Sequence, residues 1–144
     1  ILRERVAGRS VRLEGSNLVD SLLSGMERTF GRLDKVAQRC AELMPRLPEQ
    51  YRCFFHDNLS APCHYMAALS HSLYHFLRAY KYTEKRTEHL DLSIEYLETA
   101  QEALYSTQHD IFTDWYAGDK SHGKFNIPAK LTLLHNLRDR YGEK

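Results

Sequence analysis

Between Pro48 and Tyr82 an apolar or aromatic side chain recurs at steps of three or four: Tyr51, Phe55, Pro62, Tyr65, Leu69, Leu73, Phe76 and Tyr80, with Asn58 as the polar member of the series. That spacing lines up one face of an α-helix, because 3.6 residues complete a turn; a strand would need strict alternation. The stripe continues in phase across Pro62. Proline lacks the N–H that would bond Asn58 and its ring crowds that carbonyl, so the spacing predicts one long helix bent near Asn58 to Pro62. Asn58, beside the bend, is placed to bond the freed backbone.

A second stripe precedes it: Val19, Leu22, Met26, Phe30, Leu33, Ala37, Cys40 and Met44. Ser16 or Asn17 is positioned to cap this helix, and Pro45 and Pro48 close it and open the next. So short a connection makes the two helices antiparallel neighbours. Beyond Lys81 to Thr87, the residues Leu90, Ile94, Leu97 and Leu104 define a third helix. Its outer side carries Glu88, Asp91, Glu95, Glu98 and Glu102, an acidic row that reads as a solvated face. Asn126 followed by Pro128 marks the start of a last helix, with Leu131, Leu134, Leu137 or Arg138, and Tyr141 turned inward. The expected fold is all-α: an up-down four-helix bundle with a long Pro-kinked central helix, its helices near 17–44, 48–82, 88–106 and 127–141.

With 144 residues the chain suits one domain with a proper core. Its net charge of +1 gives no broad attraction to nucleic acid or anionic lipid, so neither nucleic acid nor membrane is expected as a partner. No apolar run reaches the length of a membrane span. Residues 1–16 hold Arg3, Arg5, Arg9 and Arg12 between Gly8 and Gly15, and read as a linker arriving from an upstream domain; 17–144 form the bundle. Cys40, Cys53 and Cys63 lack C-x-x-C spacing and read as small thiols among apolar neighbours, with a disulfide between two of them left open.

Four histidines, His56, His64, His71 and His75, lie on the central helix. His64, His71 and His75 fall within roughly 40° of one another, on the side away from the apolar stripe. Spacing of i, i+4 would let His71 and His75 share a metal, but no other helix offers a matching E-x-x-H or H-x-x-x-H, so no metal and no cofactor is expected. Tyr74, Tyr82 and Ala68 share this side. A face of His, Tyr and Ala is less charged than a solvated helix face usually is. His64, His71, Tyr74, His75 and Tyr82 therefore read as an interface with another domain, and a dimer would use the same face. Further along, Trp115 and Tyr116 next to Asp119, Lys120 and Asn126 have the composition of a sugar-stacking rim. No pair of carboxylates set across a cleft is visible, so no catalytic residue is assigned.

Two stretches resemble a known family. One is Leu47-Pro48 with Arg52, Phe55, Leu59 and Pro62. The other is Phe112-x-x-Trp115-Tyr116-x-Gly118-Asp119-Lys120 leading into Phe125-Asn126-Ile127-Pro128. Together they resemble the helical region that follows the catalytic domain in glycoside hydrolase family 115, the xylan α-glucuronidases, and in related glycoside hydrolase-like proteins. Ser121-His122-Gly123 lengthens the loop relative to that pattern. The resemblance implies a non-catalytic helical module that buttresses the catalytic domain of a larger, secreted or periplasmic carbohydrate-active enzyme. It implies an upstream catalytic domain and polysaccharide as partners, with the fragment itself inactive. Two alternatives stand beside it: a free-standing interaction or dimerisation module, and a small metal-binding four-helix enzyme built on His64, His71 and His75.

Overall fold

The computed structural model describes residues 3–6, 9–12, 16–109 and 126–142, with side chains from Leu18 onward. Two short strands come first, β1 (Arg3–Val6) and β2 (Arg9–Arg12), paired antiparallel with Arg3 opposite Arg12 and Val6 opposite Arg9. The stretch that reads as a linker thus includes a short strand pair. Helix α1 (Ser16–Leu43) follows and ends in a 3₁₀ turn, Met44–Arg46, where Pro45 removes a donor.

The central rod is α2 (Glu49–Phe55), a π-turn (His56–Ser60) and α3 (Ala61–Lys81). The π-turn is how the helix admits Pro62: the Ala61 N–H reaches back to His56 O, and the chain enters α3 with Pro62 in the first turn, where no donor is required. Asn58 Nδ2 donates to Phe54 O at 2.9 Å, a carbonyl one turn before it and not the Asn58 carbonyl that Pro62 leaves without its donor. One residue of extra winding turns the helix face by about 100°, so α2 does not simply extend the stripe of α3. Tyr51 and Phe54 are accordingly exposed. A 3₁₀ turn (Thr83–Lys85), helix α4 (Arg86–Tyr105) and helix α5 (Ile127–Gly142) complete the described chain. Asn126 caps α5: its Oδ1 accepts from Ala129 N at 3.1 Å.

Pairs of contacting residues give the directions. Along α3 the sequence His71, Tyr74, Lys81 meets Asp34, Glu27, Asp20 of α1, so the two run antiparallel. Ser72, His75 and Ala79 meet Ser93, His89 and Arg86, so α3 and α4 are antiparallel as well. Asp91 and Arg86 meet Arg138 and Tyr141 across α4 and α5. The all-α, up-down bundle expected from the sequence is the observed fold.

Two apolar clusters hold it. The larger joins α3, α4 and α5 through Ala68, Ala79, Leu90, Ile94, Leu97, Ala100, Ile127 and Leu134. The smaller joins α1 to α3 through Val19, Leu23, Tyr74 and Leu77, with Met26 and Phe30 against it. The α3–α4 seam is lined by small buried residues, Ala68, Ser72 and Ala79 on α3 and Ser93 and Ala100 on α4. There the helices exchange reciprocal bonds, Ser72 Oγ to Ser93 O at 2.8 Å and Ser93 Oγ to Ser72 O at 2.9 Å. Each hydroxyl thereby satisfies itself on the other helix's backbone in a site that excludes water.

Candidate functional site

The side of α3 that carries histidine and tyrosine faces inward. His71 donates or shares a proton through Nε2 with both carboxylate oxygens of Asp34, at 3.1 and 3.0 Å. Its ring lies between Phe30 of α1 and Tyr96 of α4, with centroids 4.1 and 4.5 Å away. Tyr74, 7% exposed, donates its hydroxyl proton to Glu27 Oε1 at 2.6 Å and accepts from Arg78 at 3.0 Å. Burial and the bond to Glu27 push the phenol pKa up. Arg78 also lies over the rings of Tyr82 and Tyr74 at 5.0 and 5.6 Å.

Next along the helix, His75 Nδ1 meets His89 Nδ1 at 3.2 Å, and the His75 ring stacks on Tyr96. Such a contact holds only if one ring nitrogen carries a proton and the other does not. His75 is pushed down to about 4, first by burial, then by the nearby His89, His71 and Arg78. His89, buried, is also lowered, by burial and then by Arg78. Its Nε2 and Arg78 Nε have no hydrogen-bond partner among the described residues.

These contacts reverse the face assignment made from periodicity. His71, Tyr74 and His75 are committed to α1 and α4 rather than turned outward, and His71 and His75 have different partners. His64 stands apart, exposed, with Nδ1 bonded to Ser60 O at 2.7 Å. Tyr82, half-buried, caps the end of the row near His89. The reason is visible in the partners: Asp34, Glu27, Ser93 and His89 sit on other helices, where a single-helix projection cannot see them. Small and hydrogen-bonded residues also allow closer helix approach than the leucines of the apolar stripe. Of the rim residues, Trp115, Tyr116, Asp119 and Lys120 lie outside the described residues; Asn126 is a helix cap.

What α3 turns outward is apolar. Between Leu59 and Tyr80 the exposed residues are Leu59, Pro62, Met66, Leu73 and Tyr80, with His64 as the polar exception. Leu59, Met66, Leu73 and Tyr80 are seven apart, and each is 40–51% exposed. Leu73 and Tyr80 belong to the three-four stripe, and Leu59 and Met66 lie beside it; Tyr65, Leu69 and Phe76 of the stripe pack against the α3–α4–α5 cluster.

At the far end of the bundle, the π-turn approaches the end of α4. Asp57 Oδ2 lies 2.5 Å from His109 Nε2 and 3.6 Å from Cys53 Sγ, and Cys53 Sγ lies 3.7 Å from the same His109 nitrogen. Asp57 Oδ1 bonds His56 Nδ1 at 2.9 Å, and His56 Nε2 in turn meets Ser106 Oγ at 3.3 Å. Burial alone would raise the Asp57 carboxyl, but its bonds to His56 and His109 outweigh that and hold it below the usual carboxylate value. The sequence holds one trace of this corner, Cys53 and Asp57 at i, i+4; His109 lies too far along the chain for spacing to reveal it. Cys40, Cys53 and Cys63 are thiols, not disulfide-bonded, and Cys40, buried against Cys63, has its thiol pKa raised by burial and then by that neighbour.

Comparison with family models, with curated proteins and with solved structures finds no match for this chain. Function is therefore read from the geometry. No helix among the described residues is long and apolar enough to cross a membrane.

Proposed function

We propose that this chain is a non-catalytic helical module that docks on a neighbouring domain of a larger protein along the outer face of α3. The exposed series Leu59, Met66, Leu73 and Tyr80 carries the reading. From Met66 through Leu73 to Tyr80 it has the heptad spacing of a seam that seats against another element, and Leu59 continues the apolar surface onto the π-turn. Scattered exposed apolar side chains are ordinary on a protein surface; a row of four along a central helix is not. The parent is proposed to be a carbohydrate-active enzyme of the α-glucuronidase type, on the resemblance of the Leu47–Pro62 and Phe112–Pro128 stretches. The contact surface is moved from the His and Tyr face, which the bundle uses itself, to the apolar strip.

Leu73 is half-exposed, so Leu73→Glu should change the stability of the isolated bundle by no more than about 0.5 kcal/mol. In the docked protein it should weaken the contact by about 2 kcal/mol, as expected for a residue at the centre of an interface. Hydrogen exchange along 59–80, compared between the 144-residue chain and the chain joined to its neighbouring domain, reads this directly. Protection gained on joining and lost in Leu73→Glu is the expected result; identical exchange in both would overturn the docking reading. A concentration-dependent dimer of the isolated chain that Leu73→Glu dissolves would favour self-association on the same strip.

A further inference from the structure

We propose that Cys53, Asp57 and His109 bind a divalent transition-metal ion of the zinc class. Among the described residues this is the cluster in which three metal-ligating side chains of different kinds present their donor atoms to one point, all within 4.8 Å of one another. The inference goes beyond the docking role and does not depend on it.

The donor set suits the ion. A thiolate, an imidazole nitrogen and a carboxylate are all ordinary zinc ligands. Tetrahedral bonds of the usual zinc lengths separate a sulfur from a nitrogen or oxygen ligand by about 3.5 Å. The Sγ to Oδ2 and Sγ to Nε2 distances here are 3.6 and 3.7 Å. The remaining pair, Nε2 and Oδ2 at 2.5 Å, is a hydrogen bond and has to open by somewhat under about 1 Å when an ion replaces the shared proton.

A nucleophilic Cys–His–Asp arrangement is a poorer description. There the thiol and the carboxylate address opposite nitrogens of the imidazole, so that the ring can pass a proton between them. Here both address Nε2. Three donors on one side of a ring converge on a point, which is the requirement of a cation.

The support behind the ligands has the same character. Asp57 uses Oδ2 toward the cluster while His56 holds Oδ1, and Ser106 approaches the other His56 nitrogen. Chains of this kind orient metal ligands and fix their protonation. Cys53 is exposed, and Asp57 and His109 are half-buried, so an ion has an approach from solvent. Among the described residues three ligands converge, and a water in the fourth position would give the open form of a zinc site. Binding displaces two protons from the donor atoms: the S–H bond breaks as the S–metal bond forms and that proton goes to solvent, while the proton shared by His109 Nε2 and Asp57 leaves as the N–metal bond forms and, for a neutral ring, is replaced by one at Nδ1.

The test uses the 144-residue chain, titrated with cobalt(II) and followed by absorption, and with zinc followed by calorimetry in two buffers of different ionisation enthalpy. One equivalent of cobalt with a thiolate-to-metal charge-transfer band, and proton release on zinc binding, are expected. Cys53→Ser should abolish the band. Asp57→Asn and His109→Ala should each weaken binding at least about tenfold, and His56→Phe about 10-fold to 100-fold as an outer-shell partner. Cys40→Ser and Cys63→Ser should leave the band intact, with circular dichroism confirming that each variant is folded. No band under a large molar excess of cobalt would overturn the proposal and leave an ion pair beside a thiol. A band that survives Cys53→Ser and disappears in Cys40→Ser or Cys63→Ser would overturn it too.

Discussion

Ser93→Leu is expected to destabilise the bundle by about 3 kcal/mol, and Ser93→Ala by only about 1 kcal/mol. Ser93 is fully buried at the place where α3 and α4 approach over small residues. Alanine removes the bond from Ser93 Oγ to Ser72 O, but that carbonyl keeps its place in the α3 ladder, and Ser72 Oγ still donates to Ser93 O. The loss is then that of one ordinary hydrogen bond. Leucine forfeits the same bond and must also fit a branched side chain where Ala68 and Ser72 leave no room, so strain adds to it. Chemical denaturation of the two variants separates these contributions. Equal midpoints for Ser93→Ala and Ser93→Leu would show that the seam is loose enough to admit a large side chain, contrary to the close approach described above.

This seam also marks where the sequence is easy to read and where it is not. Helix existence and direction are local: Pro45 and Pro48 bound a short connection, Asn126 and Pro128 open α5, and three-four spacing runs through every rod. Observed helices Ser16–Leu43, Arg86–Tyr105 and Ile127–Gly142 lie within a few residues of the expected spans. Which face points inward is not local. The projection of α3 separates leucine and aromatic positions from Ala, Ser, His and Tyr positions, and hydrophobicity alone sends the first set to the core. Close helix packing selects small residues, and Asp34, Glu27 and His89 give the polar ones partners, so the second set goes in and half of the first stays out. The Cys53–Asp57–His109 corner has the same cause. Apart from the i, i+4 spacing of Cys53 and Asp57, it is assembled by a π-turn and by the return of α4 to bring up His109, which leaves no spacing that a linear reading can use.

Lowering the pH from 7 to 5 is expected to cost the bundle between about 1 and 2 kcal/mol through His75 alone. His75 is held near 4 in the folded chain against an ordinary value of 6.5. In the interval between those values the unfolded chain takes up a proton that the folded chain refuses, so stability falls as the pH falls. The full difference at pH 5 would be about 2 kcal/mol; partial exposure of the ring to solvent brings the expectation below that. The surroundings agree with the direction. His89 faces His75 from α4, while His71 and Arg78 flank it on α3, and all three oppose a positive charge there; Glu88 is the one neighbour that favours it. His89, lowered by its own burial and by Arg78 and Lys85, adds in the same direction. Asp57 acts elsewhere: its carboxyl already lies below 3.8, so its contribution is lost only at lower pH. His75→Gln keeps a polar side chain opposite His89 and removes the titrating ring. It should leave stability at pH 7 within about 1 kcal/mol of the parent, because His75 is neutral in both states there, and it should flatten the loss between pH 7 and 5. Denaturation midpoints of parent and variant across that range decide it: parallel curves would mean that the buried histidine pair is not what acid attacks.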